Sequence, residues 1–403
     1  MLTLLKNADT YAPEPLGLND ILIACGKIVA ISPEPIRIQN TKAIEFDLKG
    51  RVTCPGFIDN HVHVLGGGGG LGFSSRAPEL QTSQIVRHGT TTVIGMLGFD
   101  ATSKSMAALI AKTRAFREDG ISAYCLTGAT LEHPIPTLTG KIRTDIAFID
   151  EIIGVGELSI SELGYGFDSF GKGAQYVAEA ATAGLLAGRL ARKSGYCCLQ
   201  VPPYREVVLK PMFELVDRTG IPIKQFIPSH VNQTPAYLSD ATAWGKKGGW
   251  VDIGANYSPD NNYSRSIEPS QAVVDLVAAG VELKNILVSS DGNGAPPKEE
   301  RGEGRPRVAN YMPMSALLGT FRKLRSVHGV AMAEALLPFT KNVATACGLS
   351  AKGAIEVGKD ADLLVLGADL EVQEVFCNGA HFISGGAAQR SGMFDDLLRT
   401  EFA

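Results

Sequence analysis

His61-Val62-His63 is the segment of this chain with the plainest chemical use. On a strand, residues i and i+2 share a face, so both imidazoles would point the same way. Neutral imidazole is a good ligand for zinc and other first-row divalent ions. Taken alone, such a pair could as well be packed as metal-bound. Its place after Pro55-Gly56-Phe57-Ile58-Asp59, at the end of an apolar run, favours the metal. His230 closes the run Phe226-Ile227-Pro228-Ser229, and Asp291 closes Val288-Ser289-Ser290. A lone histidine after a strand can be a core residue, and Ser-Asp-Gly can be a turn. The joint order is harder to dismiss, because all four side chains could meet at one mouth of a barrel.

The elements that would carry them alternate. Apolar runs ending in polar residues or glycine recur at 52–63, 90–95, 122–127, 155–161, 196–201, 225–231, 250–256 and 285–291. Helical stretches at 103–118, 174–194, 207–219 and 269–279 lie between them. This pattern predicts an α/β fold, a (β/α)8 TIM-type barrel over 53–349, with functional residues at the C-terminal ends of its strands. Residues 1–52 and 350–403 read instead as short strands and turns. Neither flank has the apolar surface for a core of its own, so the two together are expected to form a small β-sandwich domain. The tail from Asp395 reads as an exposed helix end or an oligomer contact. The glycine run from Gly66 to Gly70 lacks a following Gly-Lys-Ser/Thr, so it reads as a loop near a ligand rather than a phosphate cradle.

Composition narrows the function. With 38 Lys plus Arg against 42 Asp plus Glu, the formal charge is −4. That is no basic field for nucleic acid or a membrane surface. No apolar run is long enough to span a bilayer, and the first residues lack a signal peptide's pattern. Seven cysteines without a CxxC pair read as reduced core thiols in a cytoplasmic protein. His88, His328 and His381 read as structural. Tyr257 and Tyr263 could line a pocket or simply belong to a surface loop.

The order Pro-Gly-Phe-Ile-Asp-x-His-Val-His, Pro-Ser-His-Val-Asn, Ser-Ser-Asp-Gly-Asn-Gly and Gly-Lys-Asp-Ala-Asp-Leu-Leu-Val resembles the amidohydrolase superfamily. Within it the chain is most similar to the isoaspartyl (β-aspartyl) dipeptidases, nearly end to end. The resemblance implies the barrel with its sandwich and a metal centre at the mouth. It also exposes departures. The family's bridging carboxylated lysine falls on Glu157 if one residue is inserted before it, and on Gly156 if not. The insertion is preferred because it keeps the strand's alternation. The family's fifth-strand histidine falls on Gln200, a poorer ligand. The resemblance therefore implies a sounder first metal position (His61, His63, Asp291, with Glu157) than second (Glu157, Gln200, His230). Family groups that hold a charged dipeptide fall on Gly70, Gly164 and Gln233, and a family tyrosine falls on Thr130, with Glu132-His133 as its possible stand-in. Arg205, Arg265 or Lys298 could instead supply the missing charges.

The expectation is an amidohydrolase that acts on C–N bonds of a small amide, imide or N-acyl amino acid, or closes a ring by the reverse reaction. It would use one or two divalent ions, zinc first. Asp291 would move the proton, and His230 would bind the second ion or steady an oxyanion. β-Aspartyl dipeptides are not the expected substrate. The partner is a small molecule, with no nucleic acid or membrane, and the chain is expected to be a homo-oligomer. The rival is a non-hydrolytic or single-metal relative with a pathway-specific ligand-binding or lyase/cyclase role.

Overall fold

A computed structural model describes residues 2–130, 134–160, 172–200, 209–297 and 309–395. Five strands open the chain: β1 (Leu2–Tyr11), β2 (Pro15–Ala24), β3 (Lys27–Ser32), β4 (Ala43–Asp47) and β5 (Val52–Pro55). Eight follow in the middle: β6 (Phe57–Val62), β7 (Thr90–Gly95), β8 (Ser122–Thr127), β9 (Ile152–Ser159), β10 (Tyr196–Gln200), β11 (Phe226–Pro228), β12 (Val251–Gly254) and β13 (Ile286–Ser289). Four close it: β14 (Leu363–Leu366), β15 (Val372–Cys377), β16 (Ala380–Ser384) and β17 (Ala387–Ala388).

The middle strands form the TIM-type layer. β6 to β11 make one parallel sheet in chain order, and β12 pairs β13 in parallel. The two arcs are joined at one side by a bridge from Val62 to Gly292 and by the His63 amide donating to Gly292 O at 2.9 Å. At the other side the Asn232 side chain acts as a strand edge. It accepts from Gly254 N at 2.9 Å and donates to Gly254 O at 3.2 Å. Ile58, Ile94, Met96, Leu126, Tyr196, Cys198, Ile227 and Leu287 pack together with Val343 and Cys347 of the helix Lys341–Cys347. Their strand neighbours Phe57, Val93, Cys125, Cys197 and Phe226 belong to the larger cluster shared with the helices. That alternation is what buries both faces of a parallel sheet.

The run 52–63 reads as one strand from sequence, but it is two. β5 pairs with β1 and β14 in the terminal sheet, and the chain enters the barrel layer after Gly56. Both flanks meet in a single nine-stranded mixed sheet. Leu5, Ile21, Ile23 and Ile28 from one flank share a buried cluster with Ile355, Leu363, Val365 and Phe376 from the other. Each flank thus supplies the apolar surface that the other lacks. Two expectations need correction. Cys25 is exposed, although the other six thiols are buried and all seven are free. Asp395 is buried, its carboxylate accepting from Ser83 N at 3.1 Å and Ser83 Oγ at 2.7 Å, so the start of the tail is pinned to the barrel. No described helix is long and apolar enough to cross a membrane.

Candidate metal centre

Two strand irregularities aim the site. In β6, Asp59 pairs with Val93 but Val62 pairs with Gly95, so the strand carries one extra residue. This bulge shifts the inner face from the phase of Ile58 onto His61 and His63. In β9, Val155 lies opposite Cys197 and Leu158 opposite Leu199, leaving Gly156 and Glu157 both facing Cys198. Val155 and Leu158 therefore both pack against the helices, and Glu157 turns inward beside His61.

His61, His63 and Asp291 bring one ligand atom each within 4.8 Å of the others. His63 Nε2 lies 2.8 Å from Asp291 Oδ1, and His61 Nε2 lies 3.7 Å from the same oxygen. Glu157 Oε1 stands 3.6 Å from His61 Nε2, and its Oε2 accepts from Thr130 Oγ1 at 2.9 Å. His230 Nδ1 is 3.9 Å from Asp291 Oδ2, and its ring lies 4.4 Å from that of His61. All these residues except Thr130 are buried. His230 and Asp291 hold φ of 58° and 54°. A non-glycine residue in that region costs on the order of 1 kcal/mol or more, and such residues gather at functional sites.

The other sequence-derived candidates are placed less centrally. Gln200 ends β10 with its Oε1 buried and without a hydrogen-bond partner among the described residues. Gln233 is buried, and its Nε2 likewise has none. Gly70 is exposed. His133, Gly164, Arg205 and Lys298 lie outside the described residues. The loop after His63 uses glycine for close approach: a Cβ on Gly66 would lie 1.9 Å from Ala77 O, in a backbone already at φ 81°. His328 and His381 make structural contacts, with Ser270 at 2.9 Å and Glu374 at 2.8 Å.

Several supporting residues were given no settled role in the sequence reading. Asp59 accepts from Ser290 N at 3.0 Å and Ser290 Oγ at 2.5 Å, tying the HxH strand to the residue before Asp291. Cys198 Sγ lies 3.8 Å from His61 Nδ1 and 3.2 Å from Ser229 Oγ. Tyr257, left open between pocket and surface loop, is buried and donates its hydroxyl to Asp291 Oδ2 at 2.9 Å.

Electrostatics separates the carboxyls. Burial alone would raise Asp291, but the facing imidazoles of His230, His63 and His61 hold it well below the usual carboxylate range. Glu157 is pushed up to about 7 by burial. Burial lowers His230 to about 4. Burial, and then the neighbouring His230, take His61 well down. Burial opposes protonation of His63 too, but the Asp291 carboxylate beside it outweighs burial and raises it.

The donor set suits a divalent ion. His61 Nε2 and both His230 nitrogens are buried without hydrogen-bond partners among the described residues, and Asp291 Oδ1 has only the His61 and His63 rings before it. Buried polar atoms are normally satisfied, so such a convergence of orphans points to a missing bound group. Imidazole with carboxylate is a donor set that zinc and its neighbours accept.

The comparisons agree with this architecture. Residues 240–381 match the model of the Amidohydrolase family. The β-aspartyl dipeptidase of Fervidobacterium islandicum AW-1, solved with β-Asp-Leu, superimposes with a TM-score of 0.87 at 28% identity, covering 97% of this chain and 99% of that one. An imidazolonepropionase of Rhizobium meliloti is 23% identical over 392 residues, 90% of this chain and 89% of that protein. An adenine deaminase of Desulfotalea psychrophila is 28% identical over 123 residues, 28% of this chain, and there the chain spans only 19% of the relative's length. The fold, the site and the match over residues 240–381 are those of the amidohydrolase superfamily. Within that superfamily its fold lies close to that of the β-aspartyl dipeptidases.

Proposed function

We propose that the chain is a metal-dependent amidohydrolase, acting on a C–N bond of a small amide, imide or N-acyl amino acid or closing such a bond in reverse. The observation that carries this is the convergence of the His61, His63 and Asp291 ligand atoms within 4.8 Å at the barrel mouth. A divalent ion, zinc first, held there with Glu157, and a second held by Glu157, Gln200 and His230, would supply Lewis acidity, making water nucleophilic and polarising a carbonyl. Asp291 stays ionised under its imidazoles, so its carboxylate can take a proton from the attacking water and return it to the departing nitrogen. His230 is neutral near pH 7 and can bind an ion or steady the oxyanion. Thr130 holds Glu157 in place.

The substrate reading follows from the resemblance. Gly70 and Gln233 fall where the family carries charged groups for a dipeptide's ends, and Gln233 Nε2 offers a buried donor to a neutral carbonyl. His133 is the remaining candidate substrate contact. A homo-oligomer in the cytoplasm, with the barrel at 53–349 and a sandwich from 1–52 and 350–403, belongs to the same proposal. A single-metal relative is the second reading, because Glu157 and His230 lie outside the three-residue cluster.

The test is steady-state hydrolysis by zinc-loaded protein of β-Asp-Leu, cyclic imides, ureides and N-acyl amino acids. We expect turnover among the last three classes, which carry fewer charges than the dipeptide. A kcat/KM for β-Asp-Leu of about 10⁴ M⁻¹s⁻¹ or more, ordinary for an enzyme on its own substrate, would overturn the substrate reading.

A further inference from the structure

We propose that Tyr257 is the positioning residue for Asp291, and that position 254 is glycine so that the Tyr257 ring can reach it. The inference rests on the reading of Asp291 as part of a metal centre. A carboxylate side chain can rotate to exchange its two oxygens; a ligand must not. The Tyr257 hydroxyl donates to Asp291 Oδ2 at 2.9 Å, which leaves Oδ1 at 2.8 Å from His63 Nε2 and 3.7 Å from His61 Nε2. The two oxygens are thereby divided: Oδ2 accepts from the phenol, with His230 Nδ1 3.9 Å away, and Oδ1 faces His61 and His63. Hydrogen bonds to an ionised acceptor are about twice as strong as neutral ones, so this phenol is a firm clamp.

The ring is held on both sides. It stacks on His230 with centroids 4.8 Å apart and planes at 27°, and Tyr263 lies 4.7 Å away on a tilted plane. A Cβ built on Gly254 would come 2.4 Å from a Tyr257 ring carbon and 3.0 Å from a His230 ring carbon. No side chain fits there without moving the ring. Asn232 fixes the backbone between them, bonding Gly254 N and O and donating to Tyr257 O at 2.9 Å. Gly254, Asn232 and Tyr257 together thus set where one oxygen of Asp291 points.

Cobalt(II) titration of the full chain, read by the visible spectrum and by competition with a chelator, tests this without needing the substrate. Tyr257→Phe keeps the ring and its stack and removes only the hydroxyl. Partners of metal-ligating groups are typically worth 10–100-fold in affinity, so Tyr257→Phe should weaken cobalt binding about tenfold. It should also change the visible band, while the loss of one buried hydrogen bond lowers the melting temperature of the metal-free protein only modestly and leaves a cooperative transition. Gly254→Ala should reproduce the spectral change. On any substrate the wild type turns over, Tyr257→Phe should lower kcat with KM unchanged. Cobalt affinity within about twofold of wild type, well inside the effect expected of such a partner, with the same spectrum, would overturn the proposal. A wild type that takes up no cobalt would overturn the metal-centre reading itself and this inference with it, and that outcome is distinct because all three proteins would then be colourless.

Discussion

Asp252→Asn should stabilise the metal-stripped protein above neutral pH and do little in acid. Asp252 lies on β12, fully buried, with Oδ2 accepting from Ser289 Oγ at 2.8 Å. Burial raises it from the ordinary 3.8 to about 7, and the negative charge of Asp59 adds to the rise. The native state therefore binds a proton that the unfolded chain has released. Stability from this group is complete below the ordinary value and is lost as pH rises through about 7. A rise of that size corresponds to about 4 kcal/mol once both states are ionised. Asn keeps an acceptor for Ser289 and carries no charge. The variant should gain about 2–4 kcal/mol over wild type near pH 8.5, and less than about 1 kcal/mol near pH 4.5. Urea unfolding after chelator treatment measures both, with stripping required because a cation above the barrel floor would itself favour charged carboxylates. An equal difference at the two pH values would show that Asp252 is charged in the native state throughout, and would refute the reasoning.

Two further outcomes bear on the site. Asp291→Asn should fold normally yet lose turnover by roughly 10²–10⁴-fold, the range of a proton-transfer group, as steady-state assays would show. Glu157→Gln keeps an acceptor for Thr130 but loses the charge, so zinc binding measured by competition should weaken by about 10-fold or more. Unchanged affinity would leave Glu157 outside the coordination sphere.

The legible part of this fold was periodic or ordered along the chain. Eight apolar runs with helices between them foretold the parallel layer, and polar residues at the strand ends foretold that His61, His63 and Asp291 would come together. The HxH pair was read as two side chains on one face turned to the barrel mouth, but the alternation of the strand does not itself supply that direction. Strict alternation from Ile58 puts Asn60 and Val62 inside, and only the bulge in β6 reverses that. Glu157 was preferred on an unbroken alternation of its strand, whereas it faces inward through the bulge opposite Cys198, which breaks that alternation. Partners distant in sequence were not readable. Nothing local says that 52–55 pairs with β14, some 300 residues on, rather than continuing into the barrel. Tyr257 looked like a loop residue because its meaning lies in the missing Cβ of Gly254 and in Asp291, 34 positions away. Asn232 and Asp395 were silent for the same reason: each satisfies groups brought close only by the closed fold.

Metal analysis by inductively coupled plasma mass spectrometry tests the central claim most directly. Wild-type protein equilibrated with zinc and then gel-filtered should carry about one or two equivalents, the range for mononuclear and binuclear hydrolytic centres. A His61→Ala/His63→Ala variant, with two of the three clustered ligands gone, should retain almost none. A wild type that holds no zinc, or a double variant that holds as much as wild type, would contradict the account.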